Sequence, residues 1–184
     1  KSEELGQRLL RLALVKKKIR IFVPEEDTRR TRNIDAVVAQ ILEKNSKLDI
    51  PKSIRIKSPN DILNFVTEEV KVIAVDETQF FHTVKDIEEC LDVLDKLRKG
   101  RIILISGLDT DFRHRPFGVM PYILAVADEV RKLTAICFKC QDAEATFTQR
   151  LIDGKPAPKN SPLISIEHKG DNESYEARCG NCYE

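Results

Sequence analysis

Two groups of residues in this chain could do chemistry. Near the C-terminus stand two Cys-x-x-Cys pairs, Cys137-Phe-Lys-Cys140 and Cys179-Gly-Asn-Cys182. Each pair can turn both sulfurs toward one point, so four thiolates could surround one Zn²⁺ at about 2.3 Å each. Two disulfides or a redox dithiol are the competing readings. Disulfides serve mainly small secreted domains, and two pairs at this separation favour zinc. Four thiolates leave no open position, so such a metal would hold structure and not react. The second group is Asp76-Glu77, directly after the apolar run Val72-Ile-Ala-Val75. Acids at the C-terminal tip of a parallel strand lie where open α/β sheets bind ligands. In phosphate-transferring proteins one such acid assists Mg²⁺ binding and its neighbour can accept a proton. Two solvated acids ending a strand would look the same. Lys1-Ser2 opens a helix directly, as do the lysine and hydroxyl that finish a GxxxxGK[ST] phosphate loop. The dipeptide alone carries almost no weight, and beside Asp76-Glu77 it gains some.

The elements that must position these residues follow from periodicity. Residues 2–16 place Leu5, Leu9, Leu12 and Val15 on one helical face, with acids early and lysines late as the helix dipole prefers. Residues 19–23 alternate and are rich in β-branched side chains, which predicts a strand ended by Pro24. A helix is expected over 34–44, a short strand over 54–56 and a helix start at Ser58-Pro59-Asn-Asp61. Residues 70–75 and 101–106 are mostly apolar, as in a sheet covered on both faces. Between them, residues 83–99 form an amphipathic helix that ends at Gly100 and contains Cys90, read as a small core residue. A helix over 119–128 and a strand over 130–136 complete an alternating pattern. That alternation predicts a mostly parallel α/β sheet over residues 1–136. From Cys137 the texture changes to short β-like pieces, at 145–152, 163–166 and 174–178, around a Gly/Pro/Lys-rich loop at 153–161. Residues 137–184 are therefore expected to form a zinc-stapled β module.

Composition narrows the partners. The 184 residues carry 31 basic and 30 acidic side chains, a net charge of +1. That gives no electrostatic case for nucleic acid or a membrane surface as the main partner. No apolar run approaches the roughly 20 residues of a membrane helix, and no signal-peptide pattern opens the chain. Thiols meant for zinc must stay reduced, which favours the cytoplasm.

Five segments in order, VIAVDETQFF (72–81), ISGLDTDFRHRPFG (105–118), ADEVRKLTAIC (127–137), ATFTQRLIDGKPA (145–157) and SYEARCGNC (174–182), resemble the zinc-containing type II thymidine kinases. The likeness covers nearly the whole chain and is weakest over 33–57. It implies a P-loop kinase-like sheet flanked by helices, plus a small zinc-ribbon module with a lasso loop. It implies transfer of the γ-phosphoryl group of ATP, with Mg²⁺, to the 5′-hydroxyl of thymidine or deoxyuridine. Lys1 and Ser2 match the loop lysine and the Mg²⁺-binding hydroxyl, Asp76 the Mg²⁺-assisting acid and Glu77 the general base. Thr78 and Gln79 continue the same nucleotide-site motif, and Asp27 and Arg29 match its phosphate side. Phe80, Leu108, Phe112, Phe117, Thr148, Arg150 and Tyr175 match the nucleoside pocket. Read as plain sequence, the phenylalanines would more often be core. The lasso would span roughly 153–175, with Leu163, Ile164, Ser165 and Ile166 presenting backbone groups to the base. The resemblance also implies a homotetramer, and many members of the family are inhibited by the end product dTTP.

The sequence departs from the pattern in two places. The Gly-rich loop and the strand before it are not in this sequence, so this stretch alone is not expected to bind ATP phosphates properly. The lasso is a few residues longer than usual around Glu167-His-Lys-Gly-Asp-Asn172. Two other readings stay open: a P-loop ATPase without nucleoside kinase activity, and a zinc-ribbon binding module on an α/β scaffold.

Overall fold

The computed structural model describes residues 1–27, 33–163 and 173–184. They divide into two compact units, one of Lys1–Leu108 with Gly118–Val126, the other of Asp109–Phe117 with Ala127–Glu184.

The first unit is built on four parallel strands, β1 (Ile19–Pro24), β2 (Ile54–Ile56), β3 (Val72–Val75) and β4 (Ile102–Ile105), in the order β2-β1-β3-β4. Ile21 lies opposite Ala74, and Ala74 opposite Leu104. Side chains alternate across the sheet with period two, and each face has its own core. On one face Ile19, Ile21, Val23, Val72 and Ala74 pack with Leu5, Leu9 and Ala13 of α1 (Ser2–Leu14) and with Ile34, Val38 and Ile41 of α2 (Ile34–Lys44). On the other, Phe22, Ile73 and Val75 pack with Cys90, Val93 and Leu97 of α3 (Val84–Leu97) and with Ile123 of α4 (Met120–Val126). Two buried faces explain the unbroken apolar run of β3. Each fully buried large aliphatic side chain contributes roughly 1.5–3 kcal/mol. β4 is different: Ile102 is 41% exposed.

Local signals set the helix boundaries. Asn33 caps α2 by accepting from Ala36 N at 3.0 Å. Thr83 Oγ1 accepts from Asp86 N at 3.1 Å while the Asp86 carboxylate accepts from Thr83 N at 2.9 Å, a capping box that starts α3. Gly6 lets α1 and α2 approach closely, since a Cβ there would stand 2.5 Å from Val37 Cγ1. The expected helix at Ser58–Asp61 is a 3₁₀ turn, Pro59–Asn64.

The second unit is antiparallel. β7 (Phe147–Ile152) runs between β8 (Lys155–Pro156) and β9 (Glu173–Arg178), with Arg150 opposite Tyr175. Asp153 and Gly154, at φ +50° and +74°, form the two-residue turn from β7 to β8. Positive φ at both positions matches the strand twist, which is why Asp-Gly suits it. A separate pair, β5 (Ala135–Ile136) and β6 (Glu144–Ala145), holds the first Cys-x-x-Cys between its strands.

The strand expected over 130–136 is mostly absent: only Ala135 and Ile136 pair. Residues 125–136 are all exposed, and Val130 and Leu133 belong to no buried cluster among the described residues, so the alternation has no buried face to order it. Among the described residues, no helix is long and apolar enough to cross a membrane.

Candidate active site and metal centre

Asp76 and Glu77 leave the tip of β3 and are both buried. Asp76 is anchored from three directions. Its amide donates to Phe22 O at 3.0 Å. One carboxylate oxygen accepts from Ser2 Oγ at 2.8 Å, and the other accepts from Ser106 Oγ just beyond β4. Glu77 has φ +54° and ψ +38°, the left-handed region, costly for a side chain with a Cβ by on the order of 1 kcal/mol. Its carboxylate accepts from Lys1 Nζ at 2.9 Å on one oxygen and from Gln79 Nε2 at 2.6 Å on the other. Thr78 is also buried: its amide donates to Ser106 O at 3.0 Å and its hydroxyl to Val75 O at 3.3 Å. Gln79 Oε1 accepts from Leu108 N at 3.0 Å.

The first turn of α1 therefore brings a cation and a hydroxyl to two acids at a parallel strand tip. A hydroxyl and a carboxylate in hydrogen-bond contact form an oxygen-rich corner that fits Mg²⁺, a hard cation that takes one or two protein oxygens plus those of a phosphate substrate. The lysine beside it suits phosphate oxygens.

The four cysteines converge in the second unit. Their sulfurs all lie within 4.8 Å of one another, and Cys140 Sγ is 3.9 Å from Cys179 Sγ. A tetrahedron with Zn–S bonds of about 2.3 Å has edges of about 3.8 Å, so the cluster is positioned to bind a zinc ion. Each knuckle is closed by backbone bonds: Gln141 N donates to Cys137 O at 2.8 Å and Cys182 N to Cys179 O at 3.0 Å. The amide of Cys140, helped by those of Cys179 and Lys139, holds the Cys137 thiol down at about 6 against its burial. The thiol of Cys182 is pushed up to about 12, first by its hydrogen bond with Cys179 and then by burial. Crowded sulfurs cannot all shed protons unless a cation compensates them, which is what a tetrathiolate metal does.

On β7 of the same unit, Arg150 is fully buried. Its Nε lies 2.9 Å from Glu173 Oε1, its Nη2 donates to Glu173 Oε2 at 3.2 Å, and its Nη1 donates to Pro162 O at 2.6 Å. The guanidinium also lies 5.2 Å from the centre of the Phe112 ring and 6.0 Å from that of Tyr175. Phe112 is buried, and its carbonyl accepts from Tyr183 Oη at 2.7 Å. Tyr183 stacks on Phe147, which packs on His114 at 4.2 Å between ring centres.

With this geometry in view, the family model described as thymidine kinase matches residues 1–183. The chain belongs to the thymidine kinase family. Membership accounts for a parallel sheet and a cysteine cluster in one chain, and it points to a kinase that phosphorylates thymidine.

Within this member of the family, the residues singled out from sequence divide between the units. Lys1, Ser2, Asp76, Glu77, Thr78 and Gln79 come together at one strand tip. Phe80 and Leu108 follow the same tips. Asp27 is buried just after β1, and its carbonyl accepts from Arg55 Nη1 at 2.6 Å. In the second unit Arg150, Phe112 and Tyr175 cluster. Thr148 lies on β7 opposite Ala177, Phe117 is buried, and Leu163 is half-buried. Arg29, Ile164, Ser165 and Ile166 lie outside the described residues.

Sequence reasoning missed Ser106, Glu173 and Tyr183. Ser106 had a signal, because it ends the apolar run of β4 as Asp76 ends that of β3. Glu173 and Tyr183 had none, since their contacts join positions far apart in sequence.

Proposed function

We propose that this protein transfers the γ-phosphoryl group of ATP to the 5′-hydroxyl of thymidine or deoxyuridine, giving the nucleoside monophosphate and ADP. The observation that carries the reading is the strand-tip cluster, Lys1 on Glu77 and Ser2 on Asp76, in a chain of the thymidine kinase family.

In this reading Lys1 leaves its contact with Glu77 to neutralise phosphate oxygens. Asp76 and Ser2 are the residues that would hold Mg²⁺, which would supply charge neutralisation at the phosphates when bound with ATP. Glu77 accepts the 5′-hydroxyl proton as that oxygen bonds to the γ-phosphorus and the bond to the leaving ADP oxygen breaks. Its strained backbone and paired donors support such a role, because they restrict where the carboxylate sits. Asp27 and Arg29 are assigned to the phosphate side, with Thr78 and Gln79 beside them. Nucleoside recognition is assigned, on the resemblance, to Phe80, Leu108, Phe112, Phe117, Thr148, Arg150, Leu163, Ile164, Ser165, Ile166 and Tyr175. Flat rings offer stacking area at small entropic cost. Cys137, Cys140, Cys179 and Cys182 would hold zinc, which would tie together the ends of the 141–178 excursion without touching substrate. A cytoplasmic homotetramer, with dTTP as the candidate feedback ligand, completes the reading.

The test is phosphoryl transfer from γ-labelled ATP to thymidine by the intact protein. Glu77→Gln should lose at least a hundredfold in kcat, about the lower bound for a positioned base, while still binding thymidine. Undiminished kcat in the Glu77→Gln enzyme would remove Glu77 from the role.

A further inference from the structure

We infer that Gln79 is a positioning residue for Glu77, gripping the carboxylate during the reaction and tying it to the end of β4; this rests on the base role proposed above. The sequence places Gln79 among nucleotide-binding residues, but both ends of its carboxamide are occupied within the protein. Leu108 N can only donate, so the end it meets at 3.0 Å is the oxygen. That fixes the other end as NH₂, which donates to Glu77 Oε2 at 2.6 Å. A charge-assisted bond of this length is of the stronger kind.

Lys1 also holds Glu77, but its side chain is partly exposed and is the group assigned to phosphate. Gln79 is 1% exposed. Its grip therefore persists when Lys1 turns to phosphate.

Two glycines keep Gln79 in place. A Cβ on Gly107 would stand 2.9 Å from Gln79 Oε1 and 2.7 Å from Met120 Sδ. A Cβ on Gly118, at φ +53°, would stand 2.2 Å from Gln79 O and 2.6 Å from Phe81 O. Neither position admits a side chain without moving the backbone or carboxamide of Gln79.

Gln79→Glu is the discriminating variant. It keeps an oxygen for Leu108 N and nearly the same shape, but turns the donor facing Glu77 into a second carboxylate. In the intact protein it should lower kcat about tenfold to a hundredfold, the range of one lost bond to a charged group. The KM for thymidine should stay within about twofold. In a Glu77→Gln background, the same substitution should change the residual rate less than about twofold, because no carboxylate is left to position. The inference fails if Gln79→Glu keeps kcat within about twofold of wild type, if its loss appears in KM instead, or if the two substitutions are fully additive. Should Gln79→Glu not fold, Gly107→Ala presses on the same carboxamide and is judged by the same kcat criterion. The two claims separate cleanly. Undiminished kcat in Glu77→Gln removes the base itself, whereas a crippled Glu77→Gln beside a fully active Gln79→Glu removes only the positioning.

Discussion

Ser2 donates its hydroxyl to the Asp76 carboxylate at 2.8 Å, joining the first turn of α1 to the tip of β3. The bond lies inside a buried corner, where an unmatched carboxylate oxygen is costly. Ser2→Ala removes the hydroxyl and leaves the carboxylate with Ser106. We expect the Mg²⁺ concentration for half-maximal rate to rise severalfold while the KM for thymidine holds. A magnesium titration at saturating nucleoside checks this, and an unchanged half-maximal concentration would take Ser2 out of the metal corner.

The cysteine cluster predicts about one zinc per chain in reduced protein, measured by elemental analysis. Cys137→Ser should reduce the metal to a trace and lower the thermal midpoint. Strong chelator should release the metal from wild type and unfold the 109–117 and 127–184 unit before the other. That order can be read from hydrogen exchange in the two regions, because metal binding and folding of such a site are one free energy. Metal-free protein with an unaltered midpoint would overturn the structural role.

Arg150 predicts a large, one-sided cost. Truncating one partner of a buried ion pair strands the other, typically at about 3–5 kcal/mol. Arg150→Met should therefore destabilise the protein far more than Lys132→Met, whose ammonium pairs with Asp109 at 2.8 Å but stays mostly exposed. Denaturant unfolding of the two variants gives the comparison, and equal losses would show that Glu173 is satisfied without Arg150.

Cys90 predicts an alkaline effect. Burial, reinforced by Asp86 and Glu89, pushes its thiol up from 9.0 to about 12. A folded value above the unfolded one means the folded state holds the proton more tightly. The contribution is complete below pH 9 and declines as pH rises toward 12. Thermal midpoints of Cys90→Ala should therefore fall less steeply than those of wild type across that window. Parallel slopes would indicate that the buried thiol does not couple to folding.

How much of this was legible in the sequence depended on the range of the interaction. The strands of the parallel sheet, the capping of α3 and the paired cysteines are local patterns, and each was readable from spacing. Asp76 and Glu77 were readable because a charge after four apolar residues is a local contrast. Arg150 was singled out only through the resemblance, as a nucleoside-pocket position, and nothing local in the sequence marked it as buried. Its burial depends on Glu173, a partner that only the β7–β9 register brings alongside. The strand expected over 130–136 failed for the opposite reason: its local pattern is adequate, but residues 130–134 are exposed and join no strand. Gln79 was noticed for the motif around it, while its grip on Glu77 depends on how β3 and β4 end side by side.

The central strand pair of the first unit joins distant parts of the chain, with Ile19 opposite Val72. Parallel pairing forces that separation, because the chain must travel back before it can run alongside itself. The entropy of closing so wide a loop must be met before either hydrophobic layer can consolidate. Refolding of this unit should consequently be slow for its size, set by topology more than by helix propensity. Substitutions that strengthen α1 or α3 alone would then delay unfolding more than they hasten assembly.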